Sequence, residues 1–485
     1  MRRIGRLAVC GLVVACSGSE APAGGGGASG ASTSSAGGAS GVGSGGSSAG
    51  GASSTATSSM ATSSTATSSG SAGSTTTAAG GGGSGGASSG SGGGGAGRDA
   101  SSDTGAGGSS STDAGADATA PCNPGPTWTI VDDYTYSDTT VQNNPAGGVL
   151  IAKTGEFYVT GNTVVTGNSI GLIRKSADGA SWSLLKEMSG IGSSLAIAPD
   201  GTLFASGAAG GSRVAQRSKD GGMTWQPVDS VMFADATACN TGWVAVDSKG
   251  VIYSAGSCDS EGWVVRRSTN GGDNWTSLGA PFLLTAGRIA RLADLHIDGA
   301  DRVFVSGTAQ DTNSVSHWVV RRLGANDAWT TVDDYQLDST ANGGSPRLTG
   351  TTRLYAVGSM DTTTAKHWII RRAPEGGGTW TTIDDFTQPA ATFASADGIY
   401  EGPGGRLVAV GAIEDAVNGR RTITRRSIND GQTWMGSEDW AYSPGKASQP
   451  NELVADAKGN VYGTARGVDA DNRAHWLVRK LACSP

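Results

Sequence analysis

The sequence predicts an all-β protein, a seven-bladed β-propeller closed by one blade that both chain ends share. Two observations support this fold: a tryptophan recurs at intervals of 43 to 54 residues, and each interval contains four short apolar stretches separated by Gly, Asn and Asp. A repeat of this length with four strands per unit is typical of propeller blades. The seven tryptophans are Trp128, Trp182, Trp225, Trp275, Trp329, Trp380 and Trp434.

Most of these tryptophans close a turn of the form Ser-x-Asp-x-Gly-x-Thr-Trp. In such a turn an Asp or Asn side chain accepts hydrogen bonds from backbone amides, Gly adopts a positive φ, and Trp covers the turn with an apolar face. None of these tasks needs a substrate, so we predict structural roles for the turn residues. The four best copies provide Ser176, Asp178, Trp182, Ser218, Asp220, Gly222, Thr224, Trp225, Ser268, Asn270, Gly272, Trp275, Ser427, Asn429, Gly431, Thr433 and Trp434.

The strands between successive tryptophans are labelled A, B, C and D. Seven A-B-C runs begin near Val149, Leu195, Trp243, Leu292, Arg347, Gly398 and Leu453. The first D strand, residues 128–134, precedes every A strand, and the last run, ending at residues 475–481, has no D strand after it. We therefore expect the two chain ends to complete one blade, which closes the ring without an exposed sheet edge.

Four cysteines agree with this closure. Cys122 and Cys483 fall where the C-D hairpin of the shared blade is missing, and we predict that they form a disulfide. Cys239 and Cys258 flank the A and B strands of the third run and form the second predicted pair. Paired cysteines also agree with an oxidising compartment outside the cytoplasm.

The turn resembles the Asp-box, or BNR, repeat of sialidase-like propellers, and this resemblance covers residues 122–485. It implies a structural role for the box residues. In the sialidases themselves it would imply three arginines that hold a carboxylate, a Tyr assisted by Glu, and an Asp acid, all on the face opposite the boxes. No motif selects such residues here, although six could approach that face: Arg288, Arg291, Arg347, Asp294, Tyr400 and Glu452.

The N-terminus predicts export. Residues 1–15 read as a cleaved signal peptide, and the sequence before Cys16 resembles the lipobox of bacterial lipoproteins, which implies lipidation of Cys16. An ordinary signal peptide with an incidental Cys16 is the alternative. Residues 16–121 are the acylated cysteine and a Gly, Ser, Ala and Thr tether that we expect to be disordered, with a reach of about 55 Å. We expect the protein to be anchored by lipid at the outer membrane or cell surface of a Gram-negative bacterium.

The charge pattern argues against nucleic acid, because the 485-residue chain carries a formal charge of −7 and the propeller about −6. Three histidines, His317, His367 and His475, occupy one position on strand C, and we predict packing against Tyr335, Phe386 and Tyr134 instead of metal binding. Acidic pairs on strand D, such as Asp333-Asp334, are interpreted as guards of the sheet edge, with bound calcium as the alternative. Arginine pairs on strand C are interpreted as blade-to-blade ion pairs: Arg266-Arg267, Arg321-Arg322, Arg371-Arg372 and Arg425-Arg426.

The predicted function is noncatalytic binding of an extracellular glycan or protein by a monomeric propeller without metal or cofactor. The alternative is a glycoside hydrolase or lyase of sialidase-like architecture. Variable loops around a central depression would make the contacts. They are residues 142–145, 256–262, 309–316, 359–366, 413–420 and 465–474.

Overall fold

The computed structural model describes residues 123–136, 142–144, 148–165, 168–189, 191–209, 212–232, 239–258 and 261–484. These residues form seven antiparallel sheets of four or five strands each. The prediction of an all-β, seven-bladed propeller is confirmed. Residues 1–122 lie outside the described residues, so the signal peptide, the lipidation of Cys16 and the tether stay predictions.

The strands follow one another blade by blade. Strand β1 (Asn123–Tyr134) comes first, and blade 1 then contains β2 (Gln142–Asn144), β3 (Val149–Ile151), β4 (Phe157–Val165), β5 (Asn168–Ser176) and β6 (Trp182–Ser189). Blade 2 contains β7 (Ile191–Ile197), β8 (Leu203–Ala209), β9 (Ser212–Ser218) and β10 (Gln226–Met232), and blade 3 contains β11 (Cys239–Val246), β12 (Ile252–Cys258), β13 (Gly262–Ser268) and β14 (Thr276–Ser277).

Blade 4 contains β15 (Ala290–Ile297), β16 (Val303–Gln310), β17 (Ser316–Leu323) and β18 (Trp329–Tyr335). Blade 5 contains β19 (Asn342–Gly343), β20 (Arg347–Thr349), β21 (Leu354–Asp361), β22 (Lys366–Ala373) and β23 (Thr381–Thr387). Blade 6 contains β24 (Ala391–Gly402), β25 (Arg406–Asp415), β26 (Gly419–Ser427) and β27 (Met435–Trp440), and blade 7 contains β28 (Ser448–Ala455), β29 (Val461–Val468), β30 (Ala474–Ser484) and β1. In the described residues, two 3-10 turns, Ala325–Asp327 and Pro403–Gly405, lie between strands.

The two chain ends close the ring. Strand β1 pairs antiparallel with β30, and Trp128 lies opposite Leu481. The resulting sheet has the order β1-β30-β29-β28, which supplies the D strand that blade 7 lacks. The predicted shared blade is confirmed.

Two of the predicted cysteines are disulfide-bonded, Cys258 and Cys483. Cys239 lies directly opposite Cys258 in the register of β11 and β12. Cys122 and the side chain of Cys239 lie outside the described residues. The pairings Cys239 with Cys258 and Cys122 with Cys483 therefore stay predictions.

Apolar side chains are buried between blades and not in one common core. Strand β12 is buried along its whole length, whereas the outer strand β18 alternates between half-buried and exposed positions. Strands covered by neighbours on both faces are expected to be continuously apolar. One such cluster joins Trp243 and Trp263 of blade 3 to Leu292 and Val305 of blade 4.

The turns before the repeated tryptophans make the hydrogen bonds that their residues suggest. In blade 2, Gly222 donates its N–H to Ser218 Oγ over 2.9 Å, Thr224 donates to Asp220 over 2.9 Å, and Trp225 Nε1 donates to the Gly222 carbonyl over 2.9 Å. Gly222 has a φ of +99°, and an added Cβ would lie 2.6 Å from Leu185 of blade 1. Backbone conformation and the neighbouring blade thus both require glycine here.

A buried arginine links most neighbouring blades. Arg371 of blade 5 donates to both carboxylate oxygens of Asp333 in blade 4 over 2.8 Å, and its guanidinium lies 3.9 Å from the ring centre of Tyr335. We call an arginine in this position a joint arginine. The others that pair with an acid are Arg425 with Asp384, Arg479 with Glu438, Arg174 with Asp132, and Arg266 with Asp229.

The next residue along strand C points forward, to the box turn of the following blade. Arg372 of blade 5 contacts Asp430 of blade 6 over 2.8 Å, and Arg267 of blade 3 contacts Asp327 of blade 4 over 2.6 Å. Adjacent residues of a strand point to opposite faces, so one arginine pair reaches both neighbours. The interpretation of the arginine pairs as blade-to-blade ion pairs is confirmed for Arg266, Arg267, Arg371, Arg372 and Arg425. Arg321 instead lies over the Phe282 ring at 4.1 Å, and Arg322 and Arg426 donate to backbone carbonyls of the following blade.

The predicted packing of the three histidines on aromatic rings is wrong by one residue. A bulge at Val320 and Arg321 shifts the register, so that Trp318 and not His317 lies opposite Tyr335. The same shift places Trp368 opposite Phe386 and Trp476 opposite Tyr134. Each histidine instead hydrogen-bonds an aspartate on strand D at 2.6 to 2.7 Å: His317 with Asp334, His367 with Asp385, and His475 with Asp133.

Each acidic pair on strand D therefore has two partners, one for each of its acids. The first acid faces a joint arginine of the next blade, and the second faces a histidine of its own blade. Within the described residues, no group of three or more His, Cys, Asp or Glu side chains could hold a metal ion. These acids make contacts inside the ring, and their role as guards of the sheet edge stays a prediction.

The ion pair of Arg425 with Asp384 predicts that substitutions at two neighbouring residues lower the free energy of unfolding by unequal amounts. Asp384→Asn would leave the Arg425 guanidinium buried beside a neutral amide, and we expect the free energy of unfolding to fall by about 3 kcal/mol. Asp385→Asn is the matched control, because its side chain is 36% exposed and pairs with His367; a loss below about 1 kcal/mol is expected. Chemical denaturation measures both, and equal losses would contradict the joint's importance.

Candidate functional site

The two ends of each blade differ in what they present. Strand C runs from the B-C loop to the box turn, so B-C loops and boxes lie at opposite ends of the blade. We call the end with the B-C loops the top face. Five of the predicted contact loops lie there: 256–262, 309–316, 359–366, 413–420 and 465–474. The sixth, 142–145, begins with β2, which pairs with β4, and its last residue lies outside the described residues.

Several B-C loops are organised by one aspartate. Asp311 Oδ1 accepts the N–H groups of Asn313 and Val315, both over 2.8 Å. Asp415 does the same for Val417 and Asn418, and these amides hold the pKa of Asp415 below its usual range. The loops are thus fixed by their own backbone before any ligand arrives.

A charged cluster lies on the innermost strands, which line the centre of the ring. We call Asp294, Arg347, Asp397 and Glu452 the channel cluster; they come from the A strands of blades 4, 5, 6 and 7. Bulges interrupt three of these strands at or beside the acids. A bulge re-aims a side chain relative to its neighbours, and bulges are common beside functional sites.

Asp294 is fixed across the joint between blades 4 and 5. Its Oδ2 accepts the N–H of Leu348 over 2.7 Å, and its Oδ1 accepts the N–H of Leu295 over 2.8 Å. The side chain is buried, and burial raises its pKa to about 6. This carboxyl is therefore held in place and changes charge close to neutral pH.

Glu452 lies where blade 7 meets blade 1. Burial and, after it, the negative charge of Asp294 raise the pKa of Glu452 to about 7, and Arg347 opposes both effects. A Cβ added to Gly148 of blade 1 would lie 2.2 Å from Glu452 Oε2. The carboxyl thus occupies space that any other residue at position 148 would fill.

Arg347 and Asp397 complete the cluster. The Arg347 guanidinium hydrogen-bonds the side-chain oxygen of Asn451, and Ser395 Oγ donates to Asp397 Oδ1 over 3.0 Å. Burial raises the pKa of Asp397 to about 6, against the attraction of Arg347. The positive charge of Arg347 therefore lowers the pKa of all three carboxyls, which burial raises.

His296 lies two residues beyond Asp294 on the same strand. Its Nε2 hydrogen-bonds the Gly350 carbonyl of blade 5 over 2.7 Å. Since a carbonyl can only accept, Nε2 carries the proton. Burial lowers the pKa of His296, so the ring is neutral at pH 7.

The channel cluster gathers only part of the sialidase-like set. Asp294, Arg347 and Glu452 come together, whereas Arg288 donates to Ser314 Oγ and the Thr312 carbonyl of a B-C loop over 2.7 and 2.6 Å. Tyr400 packs with Trp128 and Val408 between blades 6 and 7. Arg291 is exposed on β15. The six candidates therefore do not form a cluster of three arginines beside a Tyr-Glu pair.

Sequence reasoning missed Asp397, Asn451 and Gly148. The predicted A strand of the sixth run begins near Gly398, whereas β24 begins at Ala391, so Asp397 fell outside the predicted strand. An alignment of the sixth run on the fourth would have placed Asp397 next to the position of Asp294. Both residues lie at a bulge in the pairing of strands A and B. Asn451 and Gly148 carry no comparable signal.

Two small cavities lie beside blades 6 and 7, and Pro450 and Leu453, which flank Asn451 and Glu452, line the first of them. One of about 10 Å³ lies between blades 6 and 7 beside Trp128 and Thr464, and one of about 50 Å³ lies beside Tyr400 and Ile428. The first is about the space that a single water needs, and the second exceeds it only a few-fold. Neither can hold a sugar ring, so neither is a candidate site for one.

No protein-family model and no curated protein matches this sequence. Among solved structures, it is similar to a PL25 ulvan lyase, a polysaccharide lyase, with 11% identity over 70% of this chain and 94% of that chain and a TM-score of 0.51. A protein of unknown function from Dyadobacter fermentans shares 14% identity over 73% and 99% with a TM-score of 0.42, and a Hadza microbial sialidase 12% over 66% and 73% with 0.37. These likenesses show the fold alone, so membership of the Asp-box repeat family stays a prediction.

In the described part of the chain, no helix is long and apolar enough to cross a bilayer.

The raised pKa of Glu452 predicts a pH-dependent stability. The folded protein holds this proton up to about pH 7, whereas an unfolded chain loses it near the ordinary value of 4.5. This group's contribution to stability is therefore largest below pH 4.5 and is lost as the pH rises to 7. Glutamine does not titrate, so it does not lose this contribution. The Tm of Glu452→Gln minus the Tm of the native protein should therefore be a few degrees higher at pH 8 than at pH 5. Differential scanning calorimetry measures this, and the same Tm difference at both pH values would contradict it.

Proposed function

We propose that this chain is an exported, lipid-anchored propeller that binds an extracellular glycan at its top face and channel mouth without cleaving it. The observation that carries the proposal is the channel cluster, three carboxyls and one guanidinium on four neighbouring innermost strands. Carboxylates accept and guanidinium groups donate hydrogen bonds in fixed directions, which suits the hydroxyl groups of a sugar. The self-organised B-C loops around it are suited to the outer contacts.

Binding without cleavage is favoured by how the cluster is held. Both oxygens of Asp294 already accept backbone amides, so this acid orients the site instead of attacking a substrate. Arg347 balances neighbouring carboxyls, and Arg288, a second candidate arginine, is engaged in a B-C loop instead. The ulvan lyase that shares this fold is by name a polysaccharide lyase, and this suggests polysaccharides as the class of ligand to test first.

The N-terminal residues are the basis for the proposed location of the protein. A lipid on Cys16 and a tether with a reach of about 55 Å would hold the propeller clear of the membrane surface. Labelling with a radioactive fatty acid, lost in Cys16→Ser, tests the anchor separately from the ligand.

The binding proposal predicts a selective loss of affinity. We expect the purified protein to bind particular spots of a glycan array, and Arg347→Gln or Asp397→Asn to weaken that binding on the order of tenfold, about 1.4 kcal/mol per lost charged contact. Asp385→Asn, on the outermost strand, is the matched control and should bind like the native protein. No glycan bound by the native protein, or equal binding by all three variants, would refute the proposal.

Catalysis is the second candidate, because burial raises the pKa of Glu452 to about 7. A carboxyl that keeps its proton near neutral pH can act as a general acid on a glycosidic oxygen. If the protein cleaves a polysaccharide, activity should fall as the pH rises through 7, and Glu452→Gln should lower kcat by a factor of about 100 or more. Reducing-sugar release and absorbance of unsaturated products measure this, and unchanged turnover in the variant would exclude Glu452 as the acid.

A further inference from the structure

Six of the seven joints between blades contain an ion pair, within the residues that the structure describes. Each pair fixes one blade against the next with directional bonds. They are Arg266–Asp229 between blades 2 and 3, Arg267–Asp327 between 3 and 4, Arg371–Asp333 between 4 and 5, Arg425–Asp384 between 5 and 6, Arg479–Glu438 between 6 and 7, and Arg174–Asp132 between 7 and 1. In the same residues, no ion pair crosses from blade 1 to blade 2.

The joint between blades 1 and 2 has other residues at both positions. Lys186 lies opposite Ile173, in the register where Asp384 lies opposite Ile370. Gln216 follows Ala215 on strand C, where a joint arginine would stand. A lysine thus replaces the acid and a glutamine replaces the arginine, so neither partner of the usual pair is present.

Apolar packing holds this joint instead. Tyr158, Ile173 and Met188 of blade 1 pack against Leu195, Leu203 and Ala205 of blade 2. Burial of apolar surface is favourable but does not fix a direction. Two surfaces joined in this way can tilt without breaking an ion pair, unlike those at the other joints.

The blades on either side are each attached to their other neighbour. Blade 1 is held to blade 7 by Arg174 with Asp132 and by the contact of Glu452 with Gly148. Blade 2 is held to blade 3 by Asp229 with Arg266, and by Ser194, whose Oγ and the backbone of Val244 exchange two hydrogen bonds of 3.2 Å. Separation of blades 1 and 2 would leave all these contacts intact.

We propose that the joint between blades 1 and 2 is a built-in hinge, the place where the ring opens first. Opening there separates the innermost strands β3 and β7 of blades 1 and 2, so it would admit a ligand chain to the centre of the ring from the side. The hinge itself does not depend on the proposed function; only this last consequence does.

Thiol labelling tests the hinge with two matched cysteines in the full protein. Ala205→Cys lies in the apolar cluster between blades 1 and 2, and Ala409→Cys lies in the cluster between blades 5 and 6; the two alanines are 1% and 0% exposed. Under native conditions we expect the first thiol to react with a small maleimide at least tenfold faster, since local opening exposes it without global unfolding. Equal rates would mean that only global unfolding exposes either thiol, and would overturn the proposal.

A second set of variants tests the cause. Lys186→Asp together with Gln216→Arg supplies the missing pair, and should slow labelling of Ala205→Cys towards the rate of Ala409→Cys. Lys186→Asp alone should not, because the new carboxylate has no partner. If the double variant fails to fold, Asp384→Asn in the Ala409→Cys protein gives the reverse test, and should speed labelling there. An unchanged rate in the folded double variant, or in the reverse test, would refute the role of the ion pair.

Discussion

The joint arginine is the interaction on which the ring depends. A propeller has no common core, so the position of each blade is decided only by its two neighbours. Arg371 is held by a carboxylate and an aromatic ring of the preceding blade, and the residue after it contacts the following blade. A buried ion pair adds little net stability compared with an apolar one, but its geometry is directional. Apolar packing holds neighbouring blades together, and the directional hydrogen bonds of the guanidinium fix the angle between them.

The repeat, the shared blade and the blade-to-blade role of the arginine pairs could all be predicted from sequence. They follow from spacing and from residue type, which a single chain displays fully. The partners of His317 and its equivalents could not, because a bulge adds one residue, Val332, to strand D, and a valine at that position does not mark a bulge. A shift of one residue exchanges the two faces of a strand, so an aspartate takes the place of the ring.

Less of the candidate site than of the fold could be predicted from the sequence. Asp294, Arg347 and Glu452 were among six candidates, yet nothing in the sequence separated them from Tyr400, which lies between two blades. Their meeting depends on four strands spread from residue 294 to residue 452 and on bulges in three of them. Burial then shifts the pKa of each carboxyl towards neutrality, and burial is a property of the assembled ring.

Closure by the two ends has a consequence for biosynthesis. Thr129 bonds the backbone of Lys480, which lies 351 positions later in the chain. Strand β1 is the first strand of the propeller to be synthesised and its partner β30 is the last, so β1 lacks this partner until all seven blades have been made. Unpaired strand edges attract other chains, so a chain that stalls or is cut short leaves an adhesive first strand and an incomplete seventh blade. The topology therefore makes closure depend on the whole propeller, because β1 obtains its partner only when β30 is present.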